Sequence, residues 1–207
     1  MYIKSDTGGD RFQGYFGQTA APANKFDQCV TGQITAIETA FVEARRAVNV
    51  ASARLASIYG GSSPLDATTR NLLNKHFHTN KPGHILKIFR TLFRIGQAMD
   101  QGLKFECETQ CGKKKQCGYA WATQWFGGRG DIHICFDTRA GYCSFASLNA
   151  REQAALIIHE AAHRHVGIDD KAYVWEKKPP DKRDYTKLTP NQAMDNADSY
   201  AWFSVEL

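Results

Sequence analysis

Between residues 32 and 59 apolar side chains recur every three or four positions, at Ile34, Ile37, Phe41, Val42, Val48, Leu55 and Ile58. That spacing lays one apolar stripe along an α-helix. Thr31 is placed to cap the helix, and Gly60-Gly61 to end it. Ser63-Pro64-Leu65-Asp66 begins a second helix, through about residue 77. A third, over residues 84–101, has a broad apolar face of Ile85, Ile88, Phe89, Leu92, Phe93, Ile95 and Met99, closed by Gly102. The period then shortens. Residues 103–107, about 118–126 and 131–136 alternate or are rich in β-formers, and Asp131-Ile132-His133-Ile134-Cys135-Phe136 is the clearest strand. A helical pattern returns at about 150–166, between a candidate capping box of Asn149 and Glu152 and the stop residue Gly167. A last helix covers about 191–202. Helices, then a small antiparallel sheet, then further helices make an α+β plan.

Length and composition narrow this plan. The chain has 207 residues, 43% hydrophobic and 23% charged, which suits a globular protein. Residues 1–28 are glycine-containing and read as an irregular arm or linker, packing through Phe12, Tyr15 and Phe16. Residues 29–207 read as one domain, helical over about 29–102, with the sheet and the candidate site over about 103–207. The net charge of +5 comes without a dense basic tract, and Lys113-Lys114-Lys115 reads as a solvated loop, as does 177–181. No nucleic-acid partner is expected. No apolar run is long enough to span a bilayer, so membrane insertion is not expected either. Residues 1–10 lack the apolar core of a signal peptide.

Six cysteines, Cys29, Cys107, Cys111, Cys117, Cys135 and Cys143, suggest disulfides and a secreted, extracellular destination. The connectivity is open. Cys135 and Cys143 could pair locally, while Cys29 needs a distant partner. A structural zinc site from Cys107, Cys111 and Cys117 is the alternative, although their spacing does not match a zinc knuckle.

The chemistry concentrates at His159-Glu160-Ala161-Ala162-His163. Two histidines four apart on a helix project from one face and can share a zinc ion. Glu160 can then serve as general base without ligating the metal. The flanking Leu156, Ile157, Ile158, Ala161 and Ala162 imply a buried helix, in which polar side chains need a reason to be present. His165 lies about 200° around the helix from His163 and points elsewhere. His133 reads as a surface or packed residue. A catalytic zinc takes three protein ligands, and the third must follow the helix, where Gly167 permits a sharp turn. The acidic pair Asp169-Asp170 comes next.

These segments resemble the deuterolysin or aspzincin zinc metallopeptidases, in particular their peptidyl-lysine metalloendopeptidase branch. The resemblance rests on H-E-x-x-H, on Gly167-Ile168-Asp169-Asp170-Lys171-Ala172-Tyr173, and on Asn196-Ala197-Asp198-Ser199-Tyr200, and it spans roughly residues 29–204. It implies a zincin-like fold and one catalytic Zn2+ held by His159, His163 and Asp170. A short interval after His163 keeps Asp169 open as the alternative ligand. It further implies Glu160 as general base acting on a zinc-activated water, and Tyr173 as a transition-state donor. Ile168 and Val174 depart from the family pattern of threonine and glycine. Asp198 matches a residue that holds a substrate lysine in lysine-specific members, but Ala201 replaces an expected glutamate. A preference for basic residues, through Asp198 or Asp195, is therefore weaker than strict lysine selection. Ile132 and Ile134, on the clearest strand, are candidates to align an extended substrate at the strand's edge.

The expected function is a zinc-dependent endopeptidase acting on proteins or peptides, monomeric. Two other readings fit the same residues. One is a toxin or effector protease delivered by a secretion apparatus, with a cognate inhibitor or immunity protein. The other is a catalytically silent peptide-binding module.

Overall fold

The computed structural model of the chain describes residues 23–109, 111, 120–125, 128–137, 144–174 and 184–207, with the backbone alone at 121–125 and 128–130. The expected aromatic packing of the arm, the loop at 177–181, and Cys117 and Cys143 lie outside these residues. In chain order the elements are β1 (Lys25–Asp27), α1 (Thr31–Tyr59), α2 (Ala67–Phe77), α3 (Pro82–Asp100), β2 (Lys104–Glu108), β3 (Ala120–Trp125), β4 (Gly128–Cys135), α4 (Ala150–Val166), α5 (Pro190–Ala193) and α6 (Ala197–Glu206).

Each helix starts where local chemistry satisfies its free N–H groups. Asp66 accepts from the Thr69 N–H at 2.9 Å, so α2 begins at Ala67 rather than within the preceding Ser-Pro segment. Asn149 and Glu152 exchange hydrogen bonds of 2.9 and 3.0 Å and start α4 at Ala150. Gly167 ends α4 with φ of +72°, a conformation that side chains with a Cβ avoid. Thr31 does not cap α1: it is the first helical residue, and Gln33 Oε1 instead accepts the Val30 N–H at 3.0 Å.

The long α1 buries Ile37, Ala40, Phe41, Ala44, Ala47, Val48, Ala51 and Leu55, a stripe rich in alanine. Small residues let α3 approach closely. A Cβ at Gly96 of α3 would meet Asn49 Oδ1 at 3.2 Å and Val48 Cγ1 at 3.5 Å. Helix α4 packs on α1, α3 and α6 and on strands β3 and β4. Residues 154–162 of α4 are buried without interruption, because the helix is surrounded.

The sheet corrects the antiparallel expectation. Its order is β1-β2-β4-β3, with β1 parallel to β2 and β2 parallel to β4; only β3 and β4 are antiparallel. Parallel neighbours need a long crossover, and α1, α2 and α3 supply one between β1 and β2. Strand β4 turns back from β3 and inserts between it and β2. Phe105, Cys107, Ile132 and Ile134 form the inward face of β2 and β4, all fully or nearly fully buried. The opposite face is polar and carries the Lys104–Asp131 ion pair at 2.6 Å. Lys25–Asp27, inside the stretch read as an arm, forms the parallel edge strand β1, and Phe26 stacks on Phe105 with centroids 5.8 Å apart.

Two disulfides fasten the sheet, Cys29–Cys107 and Cys111–Cys135. The local Cys135–Cys143 pairing is thereby excluded, as is a zinc site using Cys107 and Cys111, whose sulfurs are already bonded. The last helical segment is also two helices rather than one, because Met194, Asp195 and Asn196 interrupt it.

The bridges close chain separations of 78 and 24 residues. Loop-closure entropy then predicts that Cys29→Ser with Cys107→Ser lowers stability by about 2–4 kcal/mol, and by roughly 1 kcal/mol more than removing Cys111–Cys135. Urea unfolding of the two double variants measures both losses. Equal losses, or the reverse order, would rule out the loop-length account.

Candidate metal centre

His159 and His163 stand one turn apart on α4, and each ring is aimed through its Nδ1. His163 Nδ1 donates to the Ile168 carbonyl at 2.5 Å. A carbonyl only accepts, so the proton sits on Nδ1 and the Nε2 lone pair faces away. His159 Nδ1 donates to Asp198 Oδ1 at 2.6 Å. The other Asp198 oxygen accepts the Val174 N–H at 2.8 Å, and Asp198 is fully buried.

The two Nε2 atoms lie 2.9 Å apart. Asp170 Oδ1 lies 3.1 Å from Nε2 of His163 and 3.2 Å from Nε2 of His159. With both rings neutral, three lone-pair atoms converge with no proton between them. Tetrahedral zinc with bonds of about 2.0–2.1 Å spaces its ligands by roughly 3.3 Å. The donor set of two imidazoles and one carboxylate suits that ion, so these residues fit a catalytic zinc.

The electrostatics ask for the same positive charge. Burial opposes charging His159, yet the carboxylates of Asp170 and Asp198, as hydrogen-bond acceptors beside the ring, raise its pKa well above the ordinary imidazole value. Burial also opposes charging Asp170, but the two histidines hold its carboxyl far below the usual carboxylate range.

Glu160 follows His159 and is 4% exposed. Burial raises its pKa, and the two neighbouring imidazoles partly offset that rise. The Tyr173 hydroxyl donates to Asp170 Oδ2 at 2.9 Å, and its ring stacks on His159 with centroids 5.9 Å apart. Burial, and then the Asp170 charge, push its ionisation far above that of an ordinary phenol, so it remains a proton donor.

The turn after α4 separates the two candidate aspartates. Asp170 faces the histidines. The Asp169 carboxylate is 63% exposed and pairs with Lys171. His165 does not join the group.

Three assignments to substrate binding change. Asp198 has no exposed surface, and both its oxygens are engaged, so it orients His159 instead of meeting a substrate lysine. Ile132 and Ile134 are 0% exposed and belong to the core. Their strand lies between β2 and β3, so its edges are already paired, and the outer edge on this side of the sheet is that of β3.

A second histidine–carboxylate group is of a different kind. His133 Nδ1 points at Glu108 Oε1 at 2.9 Å and Glu106 Oε2 at 3.5 Å, on the polar face of the sheet. Here a ring N–H faces two carboxylate acceptors. At His159 and His163 the Nδ1 protons are committed elsewhere, and lone pairs are left facing one another.

The family described as lysine-specific metallo-endopeptidase, the aspzincins, matches residues 65–205. The chain belongs to the aspzincin family. This aspzincin also shares its fold with a zinc peptidase from Grifola frondosa, at a TM-score of 0.58 and 18% identity, over 86% of this chain and 96% of that one. A search of curated proteins finds no match. Membership makes the chain a metallopeptidase of a zinc-dependent family, with peptides or proteins as the substrate class. Its disulfides are compatible with an extracellular setting. No described helix of this aspzincin is long and apolar enough to cross a membrane.

Sequence reasoning did not find the Ile168 carbonyl, the contact of Asp198 with His159 or that of Asn196, whose Oδ1 accepts the Lys171 and Ala172 N–H groups. For the last two a signal was present. Both are polar residues within a segment that is otherwise buried, and buried polar groups need partners. A carbonyl has no signature in the sequence.

If Asp170 is the third ligand, Asp170→Ala should weaken zinc binding by several orders of magnitude and Asp169→Ala by less than about threefold. Asp198→Ala should weaken it by about 10–100-fold without removing one. Competition against a chelator of known affinity measures all three. Loss of zinc in Asp169→Ala but not in Asp170→Ala would reverse the assignment.

Proposed function

We propose that the chain is an endopeptidase in which His159, His163 and Asp170 hold the zinc ion and Glu160 is the general base. One observation carries this reading: three lone-pair atoms within 2.9–3.2 Å of each other, beside a buried glutamate. When bound, zinc supplies Lewis acidity, lowering the pKa of water and polarising a carbonyl. The remaining steps belong to the chain.

The Glu160 carboxylate takes a proton from the attacking water and delivers it to the leaving amine nitrogen. Burial raises its pKa above that of an ordinary carboxylate, which makes it the stronger base for the first transfer. The Tyr173 hydroxyl moves its hydrogen bond from Asp170 Oδ2 to the oxygen that gains charge as the carbonyl is attacked. An extended substrate adds to the outer edge of β3, which lies against α4.

For specificity we infer at most a weak preference for basic residues. Asp198 is spent on His159, and Ala201 offers no charge. Asp195 is 48% exposed but already shares Lys171, at 3.3 Å. A substrate lysine would compete with the chain's own.

Glu160→Gln should retain zinc and lose about 10²–10⁴ in kcat, because the amide cannot accept the proton. Tyr173→Phe should lose about 10² in kcat with KM little changed. A fluorogenic peptide assay with parallel metal analysis measures both. Near-normal turnover by Glu160→Gln would end the proposed mechanism, and digestion of a peptide library that cuts only before lysine would end the specificity reading.

A further inference from the structure

We propose that Asn196 is a positioning residue that presets the turn carrying Asp170 before the metal arrives. This rests on the reading of Asp170 as the third ligand.

Asn196 is fully buried and sits at the N-terminal boundary of α6. Asparagine is among the best helix caps, yet its side chain makes no cap bond to α6. Oδ1 is turned instead onto a different segment. It accepts the Lys171 N–H at 2.8 Å and the Ala172 N–H at 3.0 Å, the two residues directly after Asp170. Nδ2 donates to Ser199 Oγ at 3.2 Å, which fixes the orientation of the amide. On the other side of the ligand, the Ala197 N–H donates to the Asp169 carbonyl at 3.0 Å. The backbone at Asn196 is extended, with φ of −133° and ψ of 118°, and bridges Asp169 in parallel. Asp170 is thus held from both flanks by two consecutive residues of one distant segment.

A turn free to flex would scatter Asp170 Oδ1 over several ångströms, and zinc would have to order it on binding. Fastening the turn in advance removes that cost from metal affinity. A second fastener joins the same pieces: Lys171 Nζ pairs with Asp169 and Asp195. It is solvent-accessible, and exposed ion pairs contribute little. The buried amide therefore does the positioning.

The test titrates the full chain with zinc against a chelator, below the unfolding temperature of every variant. Asn196→Ala should raise the zinc Kd by about 10–100-fold. Asn196→Asp keeps an oxygen acceptor for both N–H groups and should restore the affinity to within about tenfold of wild type. Lys171→Ala should change it by less than about threefold. Hydrogen exchange on the wild type serves should the alanine variant fail to fold: the Lys171 and Ala172 amides should be protected in the metal-free protein. An unchanged Kd in Asn196→Ala, or protection that appears only with zinc, would overturn the proposal. If the wild type takes up no zinc at all, the functional reading fails instead, and protected amides would show that the clasp exists without a ligand to serve.

Discussion

Two imidazole nitrogens and a carboxylate oxygen meet within 2.9–3.2 Å of one another, and only positive charge makes that meeting stable. The protein commits much of its architecture to this demand. Helix α4 supplies both rings from one face and is buried over nine consecutive residues, so its register cannot slip. The left-handed Gly167 bends the chain back within three residues, which returns Asp170 and places the Ile168 carbonyl under His163. Asp198 answers on the far side, fixing the tautomer of His159. Each partner takes up the Nδ1 proton and leaves Nε2 its lone pair, the form in which an imidazole binds a cation.

What was legible in the sequence was local. The limits of α4 were readable because Asn149, Glu152 and Gly167 act on the backbone beside them. The α1 stripe and the α3 face were readable from their period. The pairing of strands was not, because alternation fixes which side chains face inward and is silent on which strand lies beside which. The insertion of β4 between β2 and β3 turned an expected antiparallel sheet into a mostly parallel one and removed Ile132 and Ile134 from any substrate edge. Disulfides were expected, but their connectivity stayed open for the same reason, since Cys29 finds Cys107 only through the pairing of β1 with β2.

The candidate site shows the same division. His159, Glu160 and His163 are close in sequence and could be named from spacing alone. Asp198 was read by resemblance as a substrate contact, and its burial gives it another task. In lysine-specific relatives the resemblance assigns that aspartate outward, toward the substrate. In this chain it looks inward, toward His159. The difference could not be seen without knowing which surface the side chain reaches.

The two halves of the site are made at different times. His159 and His163 leave the ribosome some thirty residues ahead of Asn196 and of α6, which carries Asp198. A nascent chain that has produced the histidine pair therefore lacks both the aspartate that aims one ring and the amide that fastens the Asp170 turn. The complete arrangement of side chains therefore exists only once α6 has been made and has packed against α4.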